Sequence, residues 1–115
     1  MADKPLIILH GEIRTPPLSK KARIVAGALL RQLQRGIMLE MPESRPMPRI
    51  GKRCYELRIQ DAETNRTWRI IYRIDLNAIL VADVFAKKTQ TTPLAVIEVC
   101  RKRFQRYDLV VSNYE

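Results

Sequence analysis

The chain has 115 residues and a formal net charge of +9, from 21 basic and 12 acidic side chains, with 46% apolar and 6% aromatic residues. That length suits one domain with a real core, and the apolar fraction argues against general disorder. No stretch reaches the ~20 apolar residues of a membrane helix, and the excess of cations predicts attraction to a polyanion.

The opening MADKPLIILHGEI carries a short apolar run between charges and has no small-residue cleavage site. It does not look like a secretory signal, so a cytoplasmic protein is expected. The run Leu6 to Ile13 is expected to form a first strand, holding the single histidine, His10, in a structural role. Thr15 is a candidate N-cap and Pro16 a candidate first helical residue. Beyond them Leu18, Ala22, Val25, Leu29 and Leu33 recur at spacings of three and four, and Gly36 suits the stop. This predicts an amphipathic helix.

Residues 38–53 hold Pro42, Pro46 and Pro48. These exclude a continuous helix or a central strand and predict a long loop inside one domain spanning 1–115, without a boundary. Connections of this length are uncommon unless functional or mobile, and Arg45, Arg49, Lys52 and Arg53 favour function.

CYELRIQD, 54–61, alternates Tyr55, Leu57 and Ile59 with Glu56, Arg58 and Gln60, as a half-buried strand does. AETNR predicts a hairpin connection. TWRIIYRID then places Trp68, Ile70, Tyr72 and Ile74 on one face and Arg69, Ile71, Arg73 and Asp75 on the other. AILVADVFA, 78–86, is apolar on both faces apart from Asp83 and reads as a central strand. Pro93 opens a second helix with Ile97, Cys100, Phe104 and Tyr107 on one face; the tail 108–115 is expected to add a short edge strand or stay loose. The sum is an α+β domain, a small and mostly antiparallel sheet of about four strands with an N-terminal and a C-terminal helix packed on it.

Cys54 and Cys100 lack CxxC or Cys/His spacing and read as small core residues, the alternative being a reactive or paired thiol. Charge is concentrated: residues 45–73 carry eight basic and three acidic groups, and residues 87–106 six basic and one acidic. Arg58 and Arg69 fall on neighbouring strands of the hairpin, and Lys87 and Lys88 follow the third strand. Gathered on one concave sheet surface, these cations would suit an anion. The competing reading is a solvated basic face with Arg69 and Arg73 paired to Glu56, Asp61 or Asp75.

The segments CYELRIQD, TWRIIYRID and above all VFAKKTQTTP before a basic helix resemble the phage-derived HigB-like branch of the RelE/ParE toxin superfamily. The likeness runs from the first strand to Tyr107. It implies the toxin of a type II toxin–antitoxin pair, acting as a ribosome-dependent mRNA endoribonuclease or, in some relatives, on gyrase. Its implied partners are mRNA, the ribosome and a cognate antitoxin, a helix-turn-helix protein from an adjacent gene.

Arg58, Arg69, Lys87 and Lys88 match the catalytic cations of such proteins, and Arg45, Arg49, Lys52, Arg53 and Arg73 would bind the nucleic acid. Glu56 would orient Arg58 or act as a base, a structural salt bridge being favoured. Tyr107 is the nearest stand-in for the late tyrosine or histidine of relatives, although its spacing from Phe104 favours the core. The implied scheme requires no metal and no cofactor. A third reading is a phage-derived domain that binds nucleic acid or a partner through charge alone.

Overall fold

The computed structural model describes residues 3–9, 18–86 and 91–113. His10, Thr15, Pro16, Lys87, Lys88 and the end of the expected first strand lie outside the described residues. The element order is β1 (Leu6–Ile8), α1 (Lys20–Gln34), β2 (Ser44–Pro46), β3 (Cys54–Asp61), β4 (Arg66–Ile74), β5 (Ile79–Ala86) and α2 (Leu94–Ser112). The five strands form one sheet in the order β1-β5-β4-β3-β2, with β1 parallel to β5 and the other pairs antiparallel.

The expected α+β architecture is present, with two differences at its edges. The proline-rich segment contains β2, which pairs Ser44 with Leu57 and Pro46 with Tyr55. A proline is tolerated there because an edge strand has a side that needs no ladder donor. The tail is helical: α2 runs to Ser112 and ends on Asn113. Leu109, Val110 and Val111 are apolar, the two valines β-branched, and carry a weak strand preference, which the ongoing helix overrides.

Ser19, not Thr15, caps α1. Its side chain accepts the Ala22 N–H, and its own N–H donates to Asp61 Oδ2 at 2.8 Å. Trp68 Nε1 donates to the same oxygen at 3.1 Å, so one buried carboxylate joins the helix start to the β3–β4 hairpin. Burial alone would push the Asp61 carboxyl up, but hydrogen bonds from Ser19, Thr64 and Trp68 outweigh it and hold the group below the usual carboxylate range. At the far end Gly36 adopts φ 88°, a left-handed stop that glycine takes without a Cβ penalty. In the hairpin loop Asn65, at φ 55°, does the same work.

The sheet is covered on both faces. Leu57, Ile59, Trp68, Ile70 and Tyr72 meet Ala22, Ala26 and Leu33 of α1. On the other face Cys54, Ile71, Leu80 and Ala82 meet Ile97, Cys100 and Phe104 of α2. The alternation of β3 and β4 therefore does not separate core from solvent: their polar positions lie on the α2 face, and Glu56, Arg69 and Arg73 are buried there. Ile71 stands opposite Asp83 and Tyr72 opposite Val81, a β-bulge that leaves Ala82 as the extra residue. Both thiols are free and buried, as expected of core residues. Among the described residues no helix is long and apolar enough to cross a membrane.

Candidate nucleic-acid interface

Strand register decides which cations meet. Arg45 stands opposite Glu56, and Arg58 stands opposite Arg69, so β2, β3 and β4 bring three guanidinium groups and one carboxylate to the α2 face. Like charges directly opposite one another in a sheet are destabilising, and Glu56 is what compensates. Its Oε1 accepts from Arg45 Nε at 3.1 Å, and its Oε2 accepts from Arg69 Nη1 at 3.1 Å and from Thr92 Oγ1 at 2.8 Å. Arg69 Nη1 also reaches Thr92 Oγ1 at 3.3 Å. Burial lowers the Arg69 pKa from its ordinary value, with Glu56 acting against it and the Arg45 and Arg58 charges adding to it.

Two of the four expected catalytic cations, Arg58 and Arg69, are thus brought together, but not equally presented. Arg69 is 1% exposed and held by Glu56, so the reading that paired it with a carboxylate is the one the geometry follows. Arg58 is half-buried, and among the described residues no carboxylate lies within salt-bridge distance of it. It opens with Pro42, Glu43, Gln60 and Thr67 onto a depression of about 430 Å³. Lys87 and Lys88 lie outside the described residues. The last described residue before them, Ala86, pairs with Trp68, one position past the Phe85–Arg69 pair.

Arg45 keeps 30% of its side chain exposed while Glu56 holds its Nε. With Arg49, Thr91 and Thr92 it lines a cavity of about 240 Å³ in front of α2. That helix starts on Pro93 with no side-chain cap and no acidic residue in its first turn, and the Glu56 carboxylate reaches Thr92, the residue before it. Lys52 and Arg53 are exposed; Arg53 sits at φ 62° with Nη2 3.7 Å from Asp75 Oδ1.

Arg73 is placed elsewhere than expected. It is buried, donates to both oxygens of Asp75 at 2.8 Å and of Asp108 at 2.7 and 3.0 Å, and stacks over Phe104. Burial would lower its pKa, but the bonds it donates to Asp108 and Asp75 outweigh this and raise it. It pins α2 to the sheet. Tyr107 is half-buried against the α2-side core and shares a hollow with Leu9, Arg103, Arg106 and Val110. Fourteen residues of helix separate it from Pro93, roughly 20 Å at 1.5 Å per residue, so it does not share the Arg58–Arg69 site.

Thr92 and Asp108 went unrecognised in the sequence, and Asp61, named there as a possible partner of Arg69 or Arg73, instead accepts from Ser19 and Trp68. Thr92 had a signal, since it precedes the proline that opens a helix, but its hydroxyl turns to Glu56 and Arg69 rather than to the helix N–H groups. Asp108 lay in a segment read as tail. Among the described residues no group of three or more His, Cys, Asp or Glu is placed to hold a metal.

Neither the curated proteins nor the solved structures include a match to this chain. The family model described as "Phage derived protein Gp49-like (DUF891)" matches residues 16–105, most of the chain and all of the strands from β2 to β5. The chain belongs to this phage-derived Gp49-like family, which is associated with the toxins of toxin–antitoxin systems.

Proposed function

We propose that this protein is the toxin of a type II toxin–antitoxin pair and that it cleaves messenger RNA on the ribosome, as its resemblance to the HigB-like branch of the RelE/ParE toxins implies. The observation that carries the reading is the position of Arg58, an arginine without a carboxylate partner among the described residues, directly opposite the locked Arg69 and beside Arg45. A planar guanidinium matches two phosphate oxygens at once, which suits Arg58 and Arg45 to grip the scissile phosphate. Arg69 adds its charge from beneath and is kept in place by Glu56 and Thr92.

In this scheme the 2′-hydroxyl loses its proton to a base and attacks the adjacent phosphorus. The new O–P bond forms as the bond to the 5′ oxygen breaks, and that oxygen takes up a proton. The products are a 2′,3′-cyclic phosphate and a 5′-hydroxyl. The arginines stabilise the charge that accumulates on the phosphorane. Lys87 and Lys88, which follow β5 in the sequence, are assigned the proton transfers: repulsion between two adjacent ammonium groups favours the neutral form of one of them.

The test is primer extension on a ribosome-bound message incubated with the purified chain. Cleavage that is abolished by 2′-deoxy substitution at the cut position, and by Lys87→Ala with Lys88→Ala, supports the scheme. Intact message together with continued translation after induction would overturn it.

The burial of Arg69 and Arg73 favours one alternative, because it leaves fewer cations at the surface than catalysis by the family's scheme employs. In that reading the protein is a non-enzymatic toxin that binds gyrase, another protein or nucleic acid through its basic face. Induction separates the two: early loss of translation with cut message belongs to the nuclease, and a DNA-damage response with message intact to a gyrase inhibitor.

A further inference from the structure

We propose that the depression beside Arg58 seats a guanine base, one of the two bases that flank the phosphate held by Arg58 and Arg45. This rests on the reading of those arginines as an RNA phosphate site, and not on cleavage at that phosphate. Strand pairing brings the walls together. Arg58 N–H donates to the carbonyl of Glu43, the residue before β2, at 2.8 Å, and Gln60 stands opposite Thr67 across β3 and β4. Alternation puts Arg58 and Gln60 on the same face of β3. With Pro42 these side chains enclose about 430 Å³, within the range of about 300–1,000 Å³ that small-molecule sites occupy.

The polar groups of this depression are not spent on the protein. Opposite charges side by side on neighbouring strands normally attract. Yet among the described residues no basic group lies within salt-bridge distance of Glu43, and no carboxylate lies within that distance of Arg58. Neither the Gln60 amide nor the Thr67 hydroxyl hydrogen-bonds to another described residue. Two residues of strand, about 7 Å, part Gln60 from Arg58. That leaves room for a ribose between a phosphate on the arginine and a base on the amide.

The carboxylate selects the base. Ionised Glu43 offers acceptors only. Uracil sets its single N3–H between two carbonyls that a carboxylate repels, and adenine and cytosine offer it one donor group each. Guanine presents two adjacent donors, N1–H and N2–H, one for each carboxylate oxygen, and its O6 is left to accept from Gln60 or Thr67. Pro42 supplies a flat apolar surface for the ring. The cavity of about 240 Å³ toward the other end of β2 differs, because Pro46, Met47, Pro48 and Ile97 line it and no carboxylate does. It suits the neighbouring base by shape and stacking, without reading its edge. Discrimination is therefore confined to one side of the phosphate.

The test is fluorescence anisotropy of the full chain with short labelled RNAs, uridine throughout except for a central A, C, G or U, and 2′-O-methylated to prevent cleavage. Central guanosine should bind about tenfold tighter than central uridine, the worth of one well-made bidentate pair. Inosine, which lacks only the 2-amino group of guanosine, should lose most of that advantage. Glu43→Gln and Gln60→Ala, both at exposed positions, should fold normally and erase the preference, while Arg58→Ala should weaken all four strands alike. Equal binding of the four strands overturns the proposal. So does a guanosine preference that survives Glu43→Gln or the change to inosine, since the carboxylate would then not be reading the base. The nuclease reading is judged apart from this. A preference that vanishes in Glu43→Gln supports the subsite even where ribosome-bound message stays intact, and cut message without any base preference in binding overturns the subsite alone.

Discussion

Glu56 Oε2 lies 3.1 Å from Arg69 Nη1, with the two side chains 0% and 1% exposed. Such a pair is weak evidence for stability, since both ions lose their water, but removing one member strands the other. Glu56→Ala should cost about 3–5 kcal/mol in urea denaturation. Replacing both by apolar residues, Glu56→Leu with Arg69→Met, should cost less than either single change. A double variant as damaged as the sum of the singles would show that the two do not act as a pair.

Arg58 separates function from folding. It is half-buried, and among the described residues no carboxylate holds it, so Arg58→Ala should shift stability by about 0.5 kcal/mol or less. RNA cleavage and growth arrest should fall by about a hundredfold or more, the cost of losing a donor aimed at developing charge. Arg58→Lys should recover only part, because an ammonium cannot make the bidentate grip. Full toxicity in Arg58→Ala would remove this arginine from the site.

Arg73 makes the opposite prediction. It joins β4 to the late part of α2 through Asp108, so Asp108→Ala should loosen α2 while leaving the Arg58 site intact. Hydrogen exchange should rise from Phe104 to Ser112 and stay low in β3 and β4. Uniform exchange along α2 would mean that apolar packing alone docks it.

How much of this was legible follows from what alternation can and cannot report. Strand periodicity located β3 at 54–61, and the central strand within one residue of Ile79–Ala86, because β-branched runs between turn residues have few other uses. The same alternation suggested that Glu56, Arg69 and Arg73 face water. A period of two tells which residues share a face, not whether a helix crosses that face, and α2 does. Arg58 opposite Arg69 depends only on hairpin register and could be foreseen. The Glu56–Thr92 bond joins residues 36 apart, and nothing local announces it. The helical tail was hidden for a similar reason, since Asp108 is anchored by Arg73 rather than by its neighbours.

Asp61 should govern part of the acid limb of stability. Its carboxyl titrates below the ordinary range when folded, because the donors at Ser19 and Trp68 favour the anion. A group with a depressed folded pKa contributes fully above its unfolded value, about 3.9, and loses that contribution as pH falls through the folded one. Asp61→Asn should therefore be less stable at pH 7, and its stability should fall less steeply than wild type below about pH 4. Parallel curves for the two proteins would mean that Asp61 is not the titrating group.

Cys54 and Cys100 offer a readout of opening that needs no activity. Burial pushes the Cys54 thiol up to about 11 and the Cys100 thiol up to about 12, so neither is a thiolate at pH 8 and neither should behave as a nucleophile. Both belong to the core beneath α2. A short pulse of iodoacetamide should leave both unmodified in the native protein and label both in urea. On long exposure their rates should match each other and the global opening rate. Cys100 labelling well ahead of Cys54 would show that α2 lifts from the sheet on its own, and the Asp108→Ala variant should then widen that gap.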